Sequence, residues 1–320
     1  MRGLASIAVI AMHVSMVFPL IDGVNVLSTL NLLISFVLLQ YAVPMFIFIS
    51  GFVLSIRYSG RFSAATFYRR RLLAVLPPYL LFTFVYMMLP AGFSSYVLTA
   101  QIPSIRTFIV DLFAGIGYYH LCFFLLIIQL YLLYPLIAGL YNSGREYGEE
   151  YPLLGAMLAL QILWDLGTVA GGLDPLVHTV MGRTFLGYIF YFMAGIHVYH
   201  NFDRIREALD RISGKKILLA SAVIVGTLSL VWSVGFMQSG TFHGISAIYF
   251  LFQSVADPFY YGVIIVLTFI AAERLAASTN AVTRFLKTVG DFSLGMYLIH
   301  PLFIALGTWT LGRFFFHKLE

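Results

Sequence analysis

Arg2 and His13 stand eleven positions apart in the first apolar stretch of a chain that is 60% hydrophobic. An ionisable side chain within such a stretch is a functional hypothesis by default, because lipid makes its burial costly. Eleven helical steps turn through ~1100°, so the two side chains share a face about 16 Å apart along the axis. A pair spaced this way can hold the charged and the reactive ends of one elongated ligand. A neutral imidazole in a low-dielectric cavity can take a proton from an alcohol. The plainer reading of His13 is a hydrogen bond that fastens one helix to another.

Further along lies a run of cations, Arg69-Arg70-Arg71, at the lip of another apolar stretch. Arginines there hold a loop on one side of the membrane and touch lipid phosphate. Their planar forks also suit a polyanionic ligand. Leu76-Pro77-Pro78-Tyr79 predicts a helix break just inside the membrane, with freed backbone groups facing a cavity or another helix. Pro44 to Ser55 combines an expected kink with the small pair Ser50-Gly51, which favours close helix packing. Tyr118-Tyr119-His120-Leu121 opens an apolar stretch near its polar boundary, where such residues also serve as anchors. Tyr297-Leu298-Ile299-His300-Pro301 puts a second histidine deep in the last stretch. Asp165 and Asp257 fall near mid-span with no partner that sequence assigns.

The elements that position these groups must be membrane helices. Charged residues are 10% of the chain and the mean hydropathy is +0.91, outside the soluble globular range. The expected fold is all-α, a polytopic transmembrane bundle of about nine spans over 3–21, 30–57, 72–90, 118–141, 152–171, 184–200, 217–238, 246–271 and 292–315. With the amino terminus cytoplasmic, 15 of the 19 Lys and Arg residues fall in cytoplasmic loops, leaving Arg106, Arg183, Arg313 and Lys318 outside. That split follows the positive-inside rule. The net charge of +5 therefore reflects topology and lipid contact, and gives no reason to invoke nucleic acid. Thr107–Gly117 is expected to form a short helix in the interface or re-entering the membrane. The single cysteine, Cys122, excludes an internal disulfide and gives no basis for a cysteine metal site. Residues 1–320 read as one membrane-embedded domain, and no cleavable signal peptide is visible.

Taken together, five segments resemble the acyltransferase-3 family of bacterial membrane O-acyltransferases. They are Arg2-Gly3-Leu4-Ala5 through His13, Pro44–Leu54, Tyr68–Leu72 with Pro77-Pro78-Tyr79, Tyr119–Phe124, and Phe292–Pro301. Each is weak alone, but they stand in the family's order over nearly the whole chain. The resemblance implies transfer of an acyl group, usually acetyl from acetyl-CoA, to a hydroxyl of a carbohydrate or related cell-envelope acceptor. It implies a multi-pass protein of the bacterial cytoplasmic membrane, with acyl-CoA as a donor substrate and no permanently bound cofactor. His13 matches the catalytic histidine and Arg2 its partner. Arg71 matches the first arginine of a donor-binding Arg-x-x-Arg motif whose second position is Ala74 here, leaving Arg69 and Arg70 as neighbouring cations. Cys122 replaces the usual tryptophan. Many relatives have a tenth helix, which leaves room for a chain truncated at one or both ends.

In the chemistry so implied, arginines hold the phosphates of coenzyme A while its neutral arm reaches His13. No metal is needed, because the CoA thiolate leaves readily. Ser50, Tyr119, His120, Tyr297 and His300 are the candidate oxyanion or acceptor contacts. Two other classes stay open: a transporter or flippase of a lipid-linked sugar or small solute, and a ligand sensor without chemistry. No inverted repeat is recognisable, and the arginines gather at one mouth rather than along a path, both of which favour the enzyme. The oligomeric state is not readable from the sequence.

Overall fold

The computed structural model describes residues 1–15, 39–60, 62–89, 102–169, 174–211, 243–276 and 278–315. Every regular element among them is helical. In chain order they are α1 (Arg2–Ser15), α2 (Ala42–Arg57), α3 (Ala64–Met87), α4 (Ile105–Ala114), α5 (Cys122–Glu146) and α6 (Glu150–Val169). There follow α7 (Pro175–Met181), a 3-10 turn (Phe185–Tyr188), α8 (Ile189–His200), α9 (Phe202–Arg211), α10 (His243–Ala276), α11 (Ala281–Asp291) and α12 (Ser293–Phe315). Among these residues, two helices are long and apolar enough to cross a membrane, Cys122–Glu146 and Ser254–Ala276. The pair α11 and α12, bent by 82° at its junction, makes a third if taken as one broken span. The span expected over 217–238 lies outside the described residues, as do 16–21 of the first and 30–38 of the second.

Local chemistry sets the helix ends. Ser63 caps α3 by accepting the Thr66 N–H, Ser104 caps α4 by accepting the Thr107 N–H, and Asn280 caps α11 by accepting the Thr283 N–H. Helix α4 is the short helix expected near 107–117, and it ends on Gly115 in the left-handed conformation, φ 66°. Two proline expectations are corrected. Helix α3 runs unbroken through Pro77 and Pro78. Pro44 lies in the first turn of α2, where its missing N–H would have had no helical partner, so it imposes no kink.

Packing is tightest where side chains vanish. Helices α2 and α8 cross at Gly51 and Gly195. A Cβ on Gly51 would overlap the Phe192 carbonyl oxygen, and one on Gly195 would overlap that of Phe48. Around that crossing, one cluster of buried apolar side chains draws on α1, α2, α3, α5, α8, α10 and α12. Helix α1 packs on α2, α11 and α12. Gly3 brings its first turn against the Leu286 carbonyl of α11, and this contact seats the Arg2 end of α1.

Candidate active site

The contact between α1 and α12 delivers two histidines to each other. His13 is 7% exposed and His300 5% exposed. His13 Nδ1 lies 2.7 Å from His300 Nε2. Their ring planes differ by 12° with centroids 4.9 Å apart. With bonded nitrogens that close, the rings lie edge to edge in nearly one plane, which is a hydrogen bond in line and not a face-to-face stack. Behind it, His300 Nδ1 lies 2.7 Å from the Tyr297 carbonyl oxygen and 3.2 Å from that of Met296.

A third imidazole completes the cluster. His120, 1% exposed, sits on the turn leading into α5, its ring centroid 5.4 Å from that of His300. Neither of its nitrogens has a hydrogen-bond partner among the described residues. The Leu298 carbonyl, which receives the Tyr86 hydroxyl, lies close enough to act on the His120 ring but does not meet either nitrogen at hydrogen-bonding geometry. Orphaned polar groups this deep are rare and call for an explanation. Tyr297 fixes the His120 turn by donating its hydroxyl to the His120 carbonyl. Tyr119 presents its ring to His13 at 4.8 Å and 65°. The group is thus built from α1, α3, the α5 turn and α12, which are scattered across the sequence.

At the other end of α1 the cations separate. Arg2, Arg69 and Arg70 are exposed. Arg71 turns inward, its guanidinium carbon 5.2 Å from the Tyr58 ring centroid and 5.8 Å from that of Tyr131. Its Nε and Nη2 are buried without partners among the described residues, as is the Tyr58 hydroxyl. Arg71 bonds the Tyr131 phenol, and Arg2 also acts on that phenol electrostatically. A cation caged by aromatic faces with free N–H groups is suited to an anionic oxygen.

Ser50 stands apart from the other candidates: its hydroxyl donates to the Phe46 carbonyl of its own helix, at 2.8 Å. The structure also joins what the sequence left separate. Asp165 and Asp257 line one cavity of about 250 Å³ with Trp164, Tyr188, Tyr191 and Tyr261. There Tyr261 donates to Asp257 Oδ2 at 3.2 Å. Sequence reading missed Tyr58, Tyr86 and Tyr131 altogether. For Tyr86 a signal existed, since Val75, Tyr79, Thr83 and Tyr86 recur at helical spacing and all four are buried. For Tyr58 and Tyr131 none did, because their roles depend on helices meeting in space.

Near Cys122 the loop before α8 is pinned to the rest. Gln129 donates to the Arg183 carbonyl and accepts the Phe185 N–H. Arg183 in turn donates to the carbonyls of Ala114 and Gly115 at the end of α4, where a cation complements the helix dipole.

No curated protein and no solved structure gives a match to the chain. The profile of a family described as an acyltransferase domain matches residues 1–317, nearly the full length. On that match the chain belongs to the acyltransferase-3 family, and the buried histidine group lies inside an acyltransferase domain.

Proposed function

We propose that this membrane acyltransferase moves an acyl group, acetyl by resemblance, from an acyl-CoA thioester to a hydroxyl of a carbohydrate or related cell-envelope acceptor. The observation that carries the reading is His13, buried and hydrogen-bonded to a second histidine within an acyltransferase domain. His13 Nε2 takes the acceptor's hydroxyl proton as that oxygen attacks the thioester carbon. The carbon–sulfur bond then breaks, and the thiolate leaves and takes the proton from the imidazolium. An N–H of His120 meets the carbonyl oxygen as negative charge gathers on it, which gives its unpaired nitrogens a use. Tyr119 walls the site beside His13.

The donor's phosphates bind at Arg71 and Arg2, with Tyr58 and Tyr131 framing the guanidinium. Arg69 and Arg70 lie outside that cage and add to the surrounding positive field. The chain forms a single domain of about nine spans in the bacterial plasma membrane, with the Arg2 end facing the cytoplasm, where acyl-CoA is made. The 15-to-4 division of Lys and Arg between the two loop sets supports this orientation.

Purified protein given radiolabelled acetyl-CoA and a cell-envelope glycan extract tests the reading. Label moving to the glycan, or released as acetate when no acceptor is present, is the expected result. CoA binding without loss of acetyl would favour a sensor. Absence of CoA binding together with solute uptake in vesicles would favour a transporter.

A further inference from the structure

Pro301 removes one backbone N–H from α12, the donor that would have bonded the carbonyl four residues earlier. That carbonyl belongs to Tyr297, and His300 Nδ1 reaches it at 2.7 Å. A carbonyl oxygen only accepts, so the proton of a neutral His300 resides on Nδ1 and its Nε2 carries a lone pair. The atom facing that lone pair is His13 Nδ1, at 2.7 Å. Two lone pairs cannot share such a contact. His13 must therefore bear its proton on Nδ1, which leaves His13 Nε2 bare.

Neutrality of both rings follows from the surroundings. Among the described residues, aromatic rings and backbone carbonyls surround the pair, and an imidazolium buried in a membrane protein without a counter-ion is expensive. From this geometry we infer that His300 is a positioning residue: with the carbonyl freed by Pro301, it sets the tautomer and orientation of His13 and turns Nε2 of that ring toward the reactants. The third member of a Ser-His-Asp triad performs the same task with a carboxylate. Here the relay is carbonyl, imidazole, imidazole. It holds no fixed charge, which suits a position where a lone carboxylate would be costly. When His13 gains a proton at Nε2, its Nδ1–H becomes a charge-assisted donor to His300, and the bond tightens as charge develops.

The inference rests on the proposed role of His13 as base, and the two can fail separately. The tautomer is read without any turnover by solid-state 15N NMR of the full-length protein in lipid with labelled histidine, His13 being assigned from the spectrum of His13→Ala. The expected spectrum shows protonated Nδ1 and bare Nε2 at both His13 and His300. Replacement of His300 by alanine is expected to release His13 to the Nε2-protonated form that free histidine prefers. An Nε2-protonated His13 in the unaltered protein would overturn the relay while leaving general-base chemistry possible.

Kinetics supply the second arm. His300→Ala should lose about 10²-fold or more in kcat with its affinity for CoA unchanged, whereas His300→Gln, whose amide oxygen can still accept the His13 Nδ1–H, should recover most of that loss. Equal activity of the two variants, both being folded, would overturn the inference. Full activity in His13→Ala would instead overturn the base assignment and the relay with it.

Discussion

Three consecutive arginines fall into two different environments. Helical neighbours point about 100° apart, so Arg69, Arg70 and Arg71 cannot share one face. Two remain exposed, while the third is fixed between aromatic rings with free donors. A charge-assisted hydrogen bond to a phosphate oxygen contributes on the order of 1.5–3 kcal/mol. Arg71→Ala is therefore expected to raise KM for acetyl-CoA about 10- to 100-fold, while Arg69→Ala and Arg70→Ala change it by about twofold or less, as exposed charges do. Equal effects at all three positions, measured by initial rates over a range of acetyl-CoA, would show that the cage does not select one arginine. The triplet itself was legible as a candidate anion site. Which member turns inward was not, because Tyr58 and Tyr131 come from other elements. His13 was legible for the opposite reason: its signal is local, a polar ring at the right helical phase from Arg2. Its bond to His300 joins residues 287 positions apart and has no sequence signature.

Helix placement depends on where two backbones can touch. A methyl group at Gly51 would collide with a backbone carbonyl, which has no rotamer by which to yield. Gly51→Ala should force α2 and α8 apart at a cost of about 1–3 kcal/mol, seen as a lower melting temperature in detergent. Gly139→Ala is the matched control, because open space surrounds a Cβ there. In a helix interior it should be neutral or mildly stabilising. Similar destabilisation at both sites would remove the special status of the crossing. The sequence marked Ser50-Gly51 as a packing site, but its counterpart Gly195 gives no cue of its own. Prolines misled more. A proline pair suggests a break, yet α3 continues through Pro77 and Pro78, and Pro44 occupies a first turn that tolerates it. At Pro301 the missing N–H matters differently, by supplying the carbonyl that His300 takes up.

Large apolar side chains face outward on several of the described helices. Leu136, Leu163 and Phe303 are 70%, 66% and 66% exposed on their helices, a pattern that lipid accepts and water does not. Apolar stretches made the membrane-helical class readable in the sequence. The bend of 82° between α11 and α12 was not, since it depends on how α11 docks against α1 through Gly3. Orientation is testable with single cysteines in a Cys122→Ala background. An impermeant maleimide applied to intact cells should label cysteines placed at Ile102 and Asp174, and should spare those at Ser59 and Thr279. Labelling of all four from one side would contradict the alternating topology.

The most direct test of the chemistry is acyl transfer by purified His13→Ala, measured with labelled acetyl-CoA beside an equilibrium CoA-binding assay on the same preparation. Transfer should fall by about 10²- to 10⁴-fold, the usual contribution of a general base, while CoA binding persists. A folded His13→Ala protein that transfers acetyl at the unaltered rate would contradict the assignment of this imidazole as the base.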